Sequence, residues 1–381
     1  MREGWIYKKL KDIGVVVTGN TPSTKDKENY SSDDYCFVKP SDIAKDGVSI
    51  IKDSESYISE KGYNSSRKLP KGSVLTTCIG IIGKVGILEI DATCNQQINA
   101  IIPSRTIFPK YLALAILSVR SHLEAMANAP VVPIINKGVF SNVEIPVPSF
   151  EEQERIVAEL DLLTGIIDKQ KQQLKELDTL AQSIFYDMFG SPDANEKEWI
   201  MKSLAEIGTI VSGSTPSTSD ESNWDGDVNW VTPAELGVQL FYGETRRKIT
   251  SKAAKSLTIM PIGTLLMSSR APIGKLAITS VPMCCNQGFK NIVCGNNVNN
   301  IYLYYCLMLN INSIKAMGRG ATFKEVSKQA VSSFEIMLPP MNLQELFAQK
   351  ILSIESQKES INRSLAESQK LFDYTMDKYF G

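Results

Sequence analysis

Residues 151–190 read EEQERIVAELDLLTGIIDKQKQQLKELDTLAQSIFYDMFG, and this stretch decides the fold. Apolar or small residues fall at Ile156, Leu160, Leu163, Ile167, Leu174, Leu177, Ala181, Ile184 and Met188. The steps alternate four and three, with Gln170 alone breaking the row, which is a heptad seam burying one narrow stripe against another helix. The acidic start suits the positive end of a helix dipole. Moving forward 191 residues gives Phe347, Ile351, Ile354, Lys358, Ile361, Leu365, Ser368, Phe372, Thr375 and Tyr379, the same register with a more polar seam. Both stretches end in Phe-Gly, at 189–190 and 380–381. Two seams of equal length, each without a partner of its own, are expected to pair with each other.

The repeat extends outward from the helices. Trp5, Leu10, Ile13 and Gly14 recur as Trp199, Leu204, Ile207 and Gly208. The turn containing Thr21-Pro22-Ser23 recurs as Thr215-Pro216-Ser217, Gly83-Lys84 as Gly274-Lys275, and Cys94-Asn95-Gln96 as Cys285-Asn286-Gln287. So many matches in one order mean an internal duplication. Each half reads as an α/β (α+β) globular domain: a short helix or strand over 5–17, then β-like runs such as 73–78, 85–90, 264–268 and 276–279. A helix over 109–127 or 300–317 follows, and a short strand near 143–147 or 334–338 leads to the long helix. The expected domains are 1–150, 151–190, 191–340 and 341–381. Connectivity favours an antiparallel coiled coil with pseudo-two-fold symmetry, because a parallel pair would need one connection to span the helices' length, roughly 57 Å.

Composition bounds the function. The 381 residues carry 41 Lys/Arg against 42 Asp/Glu. The first 150 residues hold 18 basic against 15 acidic side chains and residues 151–189 hold 4 against 9, so the globular part is slightly basic and the helix acidic. This permits a local cationic face. No apolar run approaches the ~20 residues of a membrane span, and residues 1–10 have no signal-peptide core. Seven cysteines without C-x-x-C spacing read as buried free thiols. The single histidine, His122, has no paired nucleophile; phosphate-loop, dinucleotide and aminomethyltransferase motifs are absent, so no catalytic residue and no metal site is assigned.

Polar and cationic side chains on turns remain, the types that contact phosphates and base edges. The candidates are Thr21, Ser23, Lys84, Asn95 and Gln96 in the first half. In the second they are Thr215, Ser217, Arg246, Arg247, Arg270, Lys275, Asn286, Gln287, Arg319 and Lys324. Residues shared by both copies are expected to serve the scaffold, and base-reading residues to differ.

The ordered set resembles the specificity subunits of type I restriction-modification enzymes. It comprises Trp5-x4-Leu10-x2-Ile13-Gly14 with Gly19-x-Thr21-Pro22-Ser23, the Gly-Lys and Asn-Gln pairs, and Pro148-x4-Gln153-x2-Ile156 leading into the heptads. All of it is repeated from Trp199 to Phe347. The resemblance implies two target-recognition domains, each reading half of a split DNA site, with the coiled coil as a ruler for the spacer. It implies double-stranded DNA, two modification subunits and restriction subunits as partners, in the cytoplasm and away from membranes. S-adenosylmethionine, ATP and Mg²⁺ would be bound by those partners and none by this chain, a non-catalytic subunit. A stand-alone duplicated DNA-binding protein is the alternative.

Overall fold

The computed structural model describes residues 5–127, 132–237, 239–270, 272–318 and 324–381. The chain forms two compact units, one made of 1–169 and 365–381, the other of 170–364. The division cuts both long helices, α1 (Phe150–Phe189) and α2 (Met341–Phe380), so each unit contains half of each.

Unit 1 is built on a five-stranded sheet in the order Gly14–Thr18, Ile98–Pro103, Val74–Thr77, Val85–Leu88, Val48–Ile51. Neighbours are antiparallel except the last pair, which is parallel. The central strand Val74–Thr77 is buried throughout, since alternate side chains enter different cores. Val74 packs with Tyr111 and Ile156 on the helical side, while Leu75 packs with Leu88 and Cys94 on the other. A three-stranded sheet (Tyr57–Ile58, Tyr35–Val38, Thr93–Cys94) and the pair Ile6–Lys9 with Glu144–Val147 complete the unit.

Unit 2 repeats this topology strand for strand: Gly208–Ser212, Lys290–Cys294, Leu265–Met267, Leu276–Thr279, Phe241–Tyr242. Its three-stranded sheet is Arg247–Ile249, Trp224–Val231, Cys284–Cys285, and Met201–Ser203 pairs with Glu335–Met337. The duplication read in the sequence is therefore a duplication of fold.

Two local details differ from expectation. The segment 5–17 is neither one helix nor one strand but Ile6–Lys9, a single helical turn Leu10–Ile13, and the edge strand Gly14–Thr18. The helix expected over 109–127 is two, Pro109–Ser118 and Arg120–Met126, with Val119 between them at ψ 12°. Asn310 makes the same break, at ψ 11°, between Asn300–Leu309 and Ile311–Ala316.

The seams behave as a heptad stripe inside each unit. In unit 1, Ile156, Leu160 and Ile167 are buried and Leu163, Leu365 and Phe372 half-buried. In unit 2, Phe347, Ile351 and Ile354 are buried, with Leu174, Leu177, Ile184 and Ile361 half-buried. The pairing is antiparallel in both. At the start of α1, Glu159 Oε2 accepts from Tyr379 Oη near the end of α2 at 2.7 Å, and Arg155 donates to the same hydroxyl. In unit 2, Phe347 near the start of α2 meets Phe185 and Phe189 near the end of α1 at 5.5 and 5.4 Å between ring centroids. Lys358, the charged break in the second seam, pairs with Asp178 of α1 and Glu355 of its own helix, both at 2.8 Å. Gln170, the break in the first, donates to Ser364 Oγ at 2.9 Å.

Each helix start is clasped to its own globular part by a fully buried glutamine. Gln153 Oε1 accepts from the Phe108 amide, and its Nε2 donates to the Thr106 and Pro148 carbonyls. Gln344 does the same with Asn299, Asn297 and Pro339. A buried amide satisfied at both ends stabilises a junction that an apolar side chain would leave with orphan backbone groups. The terminal aromatics are also placed alike: Phe380 packs on Tyr111 at 5.3 Å, and Phe189 on Tyr302 at 4.9 Å. Gly190 ends α1 at φ +80°, where a side chain would be strained.

Candidate nucleic-acid interface

In both units the Thr-Pro-Ser turn leaves the edge strand and lies against the Asn-Gln turn. Asn20 N donates to the Cys94 carbonyl at 3.0 Å, and Ser214 N to the Cys285 carbonyl at 2.9 Å. Only glycine permits this approach: a Cβ on Gly19 would stand 2.2 Å from the Asn95 carbonyl oxygen, and one on Gly213 2.0 Å from that of Asn286. The side chains, exposed except for the half-buried Thr215, then bond across the gap, Thr21 Oγ1 to Gln96 Oε1 at 2.5 Å and Thr215 Oγ1 to Gln287 Oε1. Each leaves one threonine, one glutamine and one serine (Ser23, Ser217) on the surface.

The asparagines serve the turn itself. Asn95 Oδ1 accepts from the Gln97 amide, and Asn286 Oδ1 from the Gly288 amide. Asn95 is buried, whereas Asn286 is half-buried and lines a cavity.

The two lysines of the Gly-Lys pairs part company with this constellation. Lys84 donates to the Pro40 and Ile43 carbonyls at 2.8 and 2.9 Å, so its ammonium ties down the turn after Tyr35–Val38. Lys275 lines a cavity of about 340 Å³ with Asp178, Glu355 and Lys358 of the long helices, apart from the Asn-Gln turn.

Around the Thr-Pro-Ser turn of unit 2 stands an aromatic pair that no motif in the sequence marks. Trp230 Nε1 donates to the Ser214 carbonyl and Trp224 Nε1 to the Ser217 carbonyl, so two indoles grip the turn at both ends. Arg247 lies over the Trp224 ring at 3.7 Å, a cation–π contact that presents its charge beside the turn. Arg246, Arg247 and Lys248 are all exposed. In unit 1 the position of Trp224 is taken by Tyr30, whose hydroxyl donates to the Pro22 carbonyl at 2.8 Å.

Arg270 stands on the other side of the Asn-Gln turn. It bridges to Glu325 in antiparallel β geometry, and with Thr232, Asn286 and Gly288 the two line a cavity of about 420 Å³. Beneath them Lys290, with a side chain only 9% exposed, pairs with Glu325 at 3.2 Å and reaches Ser269 at 3.4 Å. The matching residues of unit 1 are Cys78, Ile79, Asn99 and Ile134, with Ile79 bridging to Ile134 in place of Arg270 to Glu325. The same site thus carries no charge in one unit, where Ile79 meets Ile134, and three charged side chains in the other. The signal was present as misaligned chemistry between the copies: Asn99 against Lys290 and Ile134 against Glu325. Lys324 is exposed beside Glu325, and Arg319 lies outside the described residues.

The thiols are spectators of this surface. Among the described residues all seven cysteines are free, and six are buried. Burial pushes the Cys94 and Cys285 thiols, which lie under the Asn-Gln turns, up to about 12. His122 is exposed on Arg120–Met126. Among the described residues no group of three or more His, Cys, Asp or Glu side chains could hold a metal ion, and no helix is long and apolar enough to cross a membrane.

Each copy thus combines an α/β unit, a long helix clasped to it by a buried glutamine, and a surface of polar turns. The family model "Type I restriction modification DNA specificity domain" matches residues 2–179 and again 196–367. The chain belongs to this family, as a type I restriction-modification specificity subunit. It is 39% identical over 158 residues to the type I restriction enzyme MjaIX specificity subunit of Methanocaldococcus jannaschii, an alignment covering 40% of this chain and 37% of that one. With the putative MjaX specificity subunit of the same organism it shares 25% over 392 residues, covering 93% and 87%. Among solved structures, the S subunit of a type I restriction-modification system from M. genitalium aligns with a TM-score of 0.59 at 14% identity, over 99% of this chain and 96% of that one. A chain from a study of complex assembly and conformational transition of the type I R-M system gives 0.63 at 19%, over 99% and 98%. At such identities the structural likeness is one of fold.

Proposed function

We propose that each globular domain (1–150 and 191–340) reads one half of a split DNA site. The chain would add no catalysis of its own and deliver two modification subunits to that site. The observation that carries the reading is the double occurrence of one scaffold with unlike clefts. Thr21/Gln96 and Thr215/Gln287 present the same polar turn in both copies, while the bridged pair beside it changes from Ile79–Ile134 to Arg270–Glu325. Shared hydroxyls and amides suit the phosphate backbone, which is uniform; a variable cleft suits base edges, which are not. Arg246, Arg247, Lys248 and Lys324 add charge on the same unit for phosphates, with affinity falling as salt rises.

Apolar side chains left exposed on the long helices support docking of protein partners. Leu162 and Tyr374 of unit 1 are 72% and 67% exposed, and Leu180 and Leu352 of unit 2 are 47% exposed each. The methyl donor, ATP and Mg²⁺ would come with the modification and restriction subunits. Cytoplasmic location follows from that partnership.

The test is single-molecule sequencing for methyladenine in DNA from cells expressing this chain with its modification subunit. The expected result is a split motif with one methylated adenine on each strand. No modified motif, with both proteins soluble and associated, would point instead to a stand-alone DNA-binding protein.

A further inference from the structure

We infer that Arg270 reads a guanine in the half-site of unit 2, and that the Lys290–Glu325 pair beneath it is a positioning device for that arginine. The inference rests on the proposed DNA-reading function and names one of its contacts. Three observations lead to it. Among the described residues the Arg270 guanidinium has no hydrogen-bond or ion-pair partner, although its side chain is half-buried in the cleft of about 420 Å³. The Glu325 carboxylate, bridged to Arg270 through the backbone, is held by Lys290 from below, so it is fixed without being consumed by the arginine. Finally, Ser269, Arg270, Lys290 and Glu325 stand as a set where unit 1 has Cys78, Ile79, Asn99 and Ile134.

Burying the Lys290 ammonium is costly unless a carboxylate and a hydroxyl meet it, and both do. That arrangement stabilises nothing unit 1 lacks, since unit 1 closes the same site with Ile79 and Ile134. What it adds is a fork of donors held in a recess. A phosphate contact needs no recess, and a carboxylate nearby would offset it. The paired acceptors O6 and N7 of guanine match an arginine fork, whereas adenine sets a donor against it. Unit 1 offers methyl groups at this place and cannot make the contact.

The experiment uses the full chain assembled with its modification subunits, acting on a DNA library randomised across the second half-site. Methylated products are read by sequencing. The wild type is expected to require a guanine at one position of that half-site. Arg270→Gln should lower discrimination there by roughly ten- to a hundredfold and leave the first half-site unchanged. Arg270→Lys, which keeps the charge and loses the fork, should fall between. Glu325→Gln should weaken the same position and no other. Matching thermal unfolding and subunit association show that each variant is folded. A guanine preference kept within twofold in Arg270→Gln overturns the inference, as does a wild-type second half-site with no G·C pair. A wild-type complex that methylates no split motif refutes the function on which the inference rests.

Discussion

Gln153 and Gln344 make the same three hydrogen bonds in units 1 and 2, yet Ile79 and Arg270, equally matched in fold, share nothing chemically. The difference separates two tasks. A clasp between a long helix and its globular part has one good solution, because the backbone groups it satisfies are the same in every copy. A recognition cleft has as many solutions as there are targets. The turn carrying Thr21 or Thr215 lies between these extremes: its glycine is dictated by a carbonyl about 2 Å from any Cβ, while its hydroxyl, donated to Gln96 or Gln287, keeps its lone pairs for a donor.

Four experiments would break or sharpen that comparison. The largest effect should come from alkaline pH. Burial raises the thiols of Cys284 to about 11 and of Cys285, Cys294 and Cys306 to about 12 in unit 2, against Cys78 at about 11 and Cys94 at about 12 in unit 1. An acid whose folded pKa is raised ionises first in the unfolded chain. The stability is therefore complete below the ordinary thiol value of about 9 and is lost as pH rises towards 12. Unit 2, with more such thiols, should unfold first, as followed by intact-mass alkylation with a pulse of iodoacetamide. Simultaneous unfolding of both units would contradict the difference.

Next, Gln344→Leu should cost about 3 kcal/mol by leaving the Asn299 amide and two carbonyls without their partner, and Gln153→Leu about as much in unit 1. Urea unfolding of each variant measures this, and markedly unequal costs would mean the two clasps are not equivalent. Gly213→Ala should then cost about 2 kcal/mol by the same measurement, because the intruding Cβ meets backbone and must push the two turns apart. A neutral result would show that the close approach is not needed. The smallest effect is Arg247→Ala, which removes the cation over Trp224; DNA binding by the assembled complex should weaken by about 1 kcal/mol, with a shallower salt dependence. An unchanged salt slope would remove Arg247 from the phosphate surface.

The sequence disclosed the scaffold far better than the cleft. Heptad spacing places Ile156 to Ile184 and Phe347 to Phe372 on one stripe because a helix repeats its geometry, and a matched register survives duplication. The break at Val119 and Asn310 is invisible in the sequence, since neither glycine nor proline marks it. Lys84 gave no sign that it would donate to Pro40 and Ile43, which lie more than forty residues earlier and meet it only through the sheet. Lys275, its match, goes elsewhere, so alignment of the copies alone did not determine a lysine's partner. Lys290 looks ordinary in the sequence; its meaning appears only when Ser269, Arg270 and Glu325 are beside it.

The most direct test of the central claim is to exchange residues 1–150 for the first domain of another family member, assemble the product with modification subunits, and sequence the methylated motif. If each copy reads its own half-site, one half of the motif changes and the half read by unit 2 stays as it was. A motif in which both halves change, or neither does, would contradict the account.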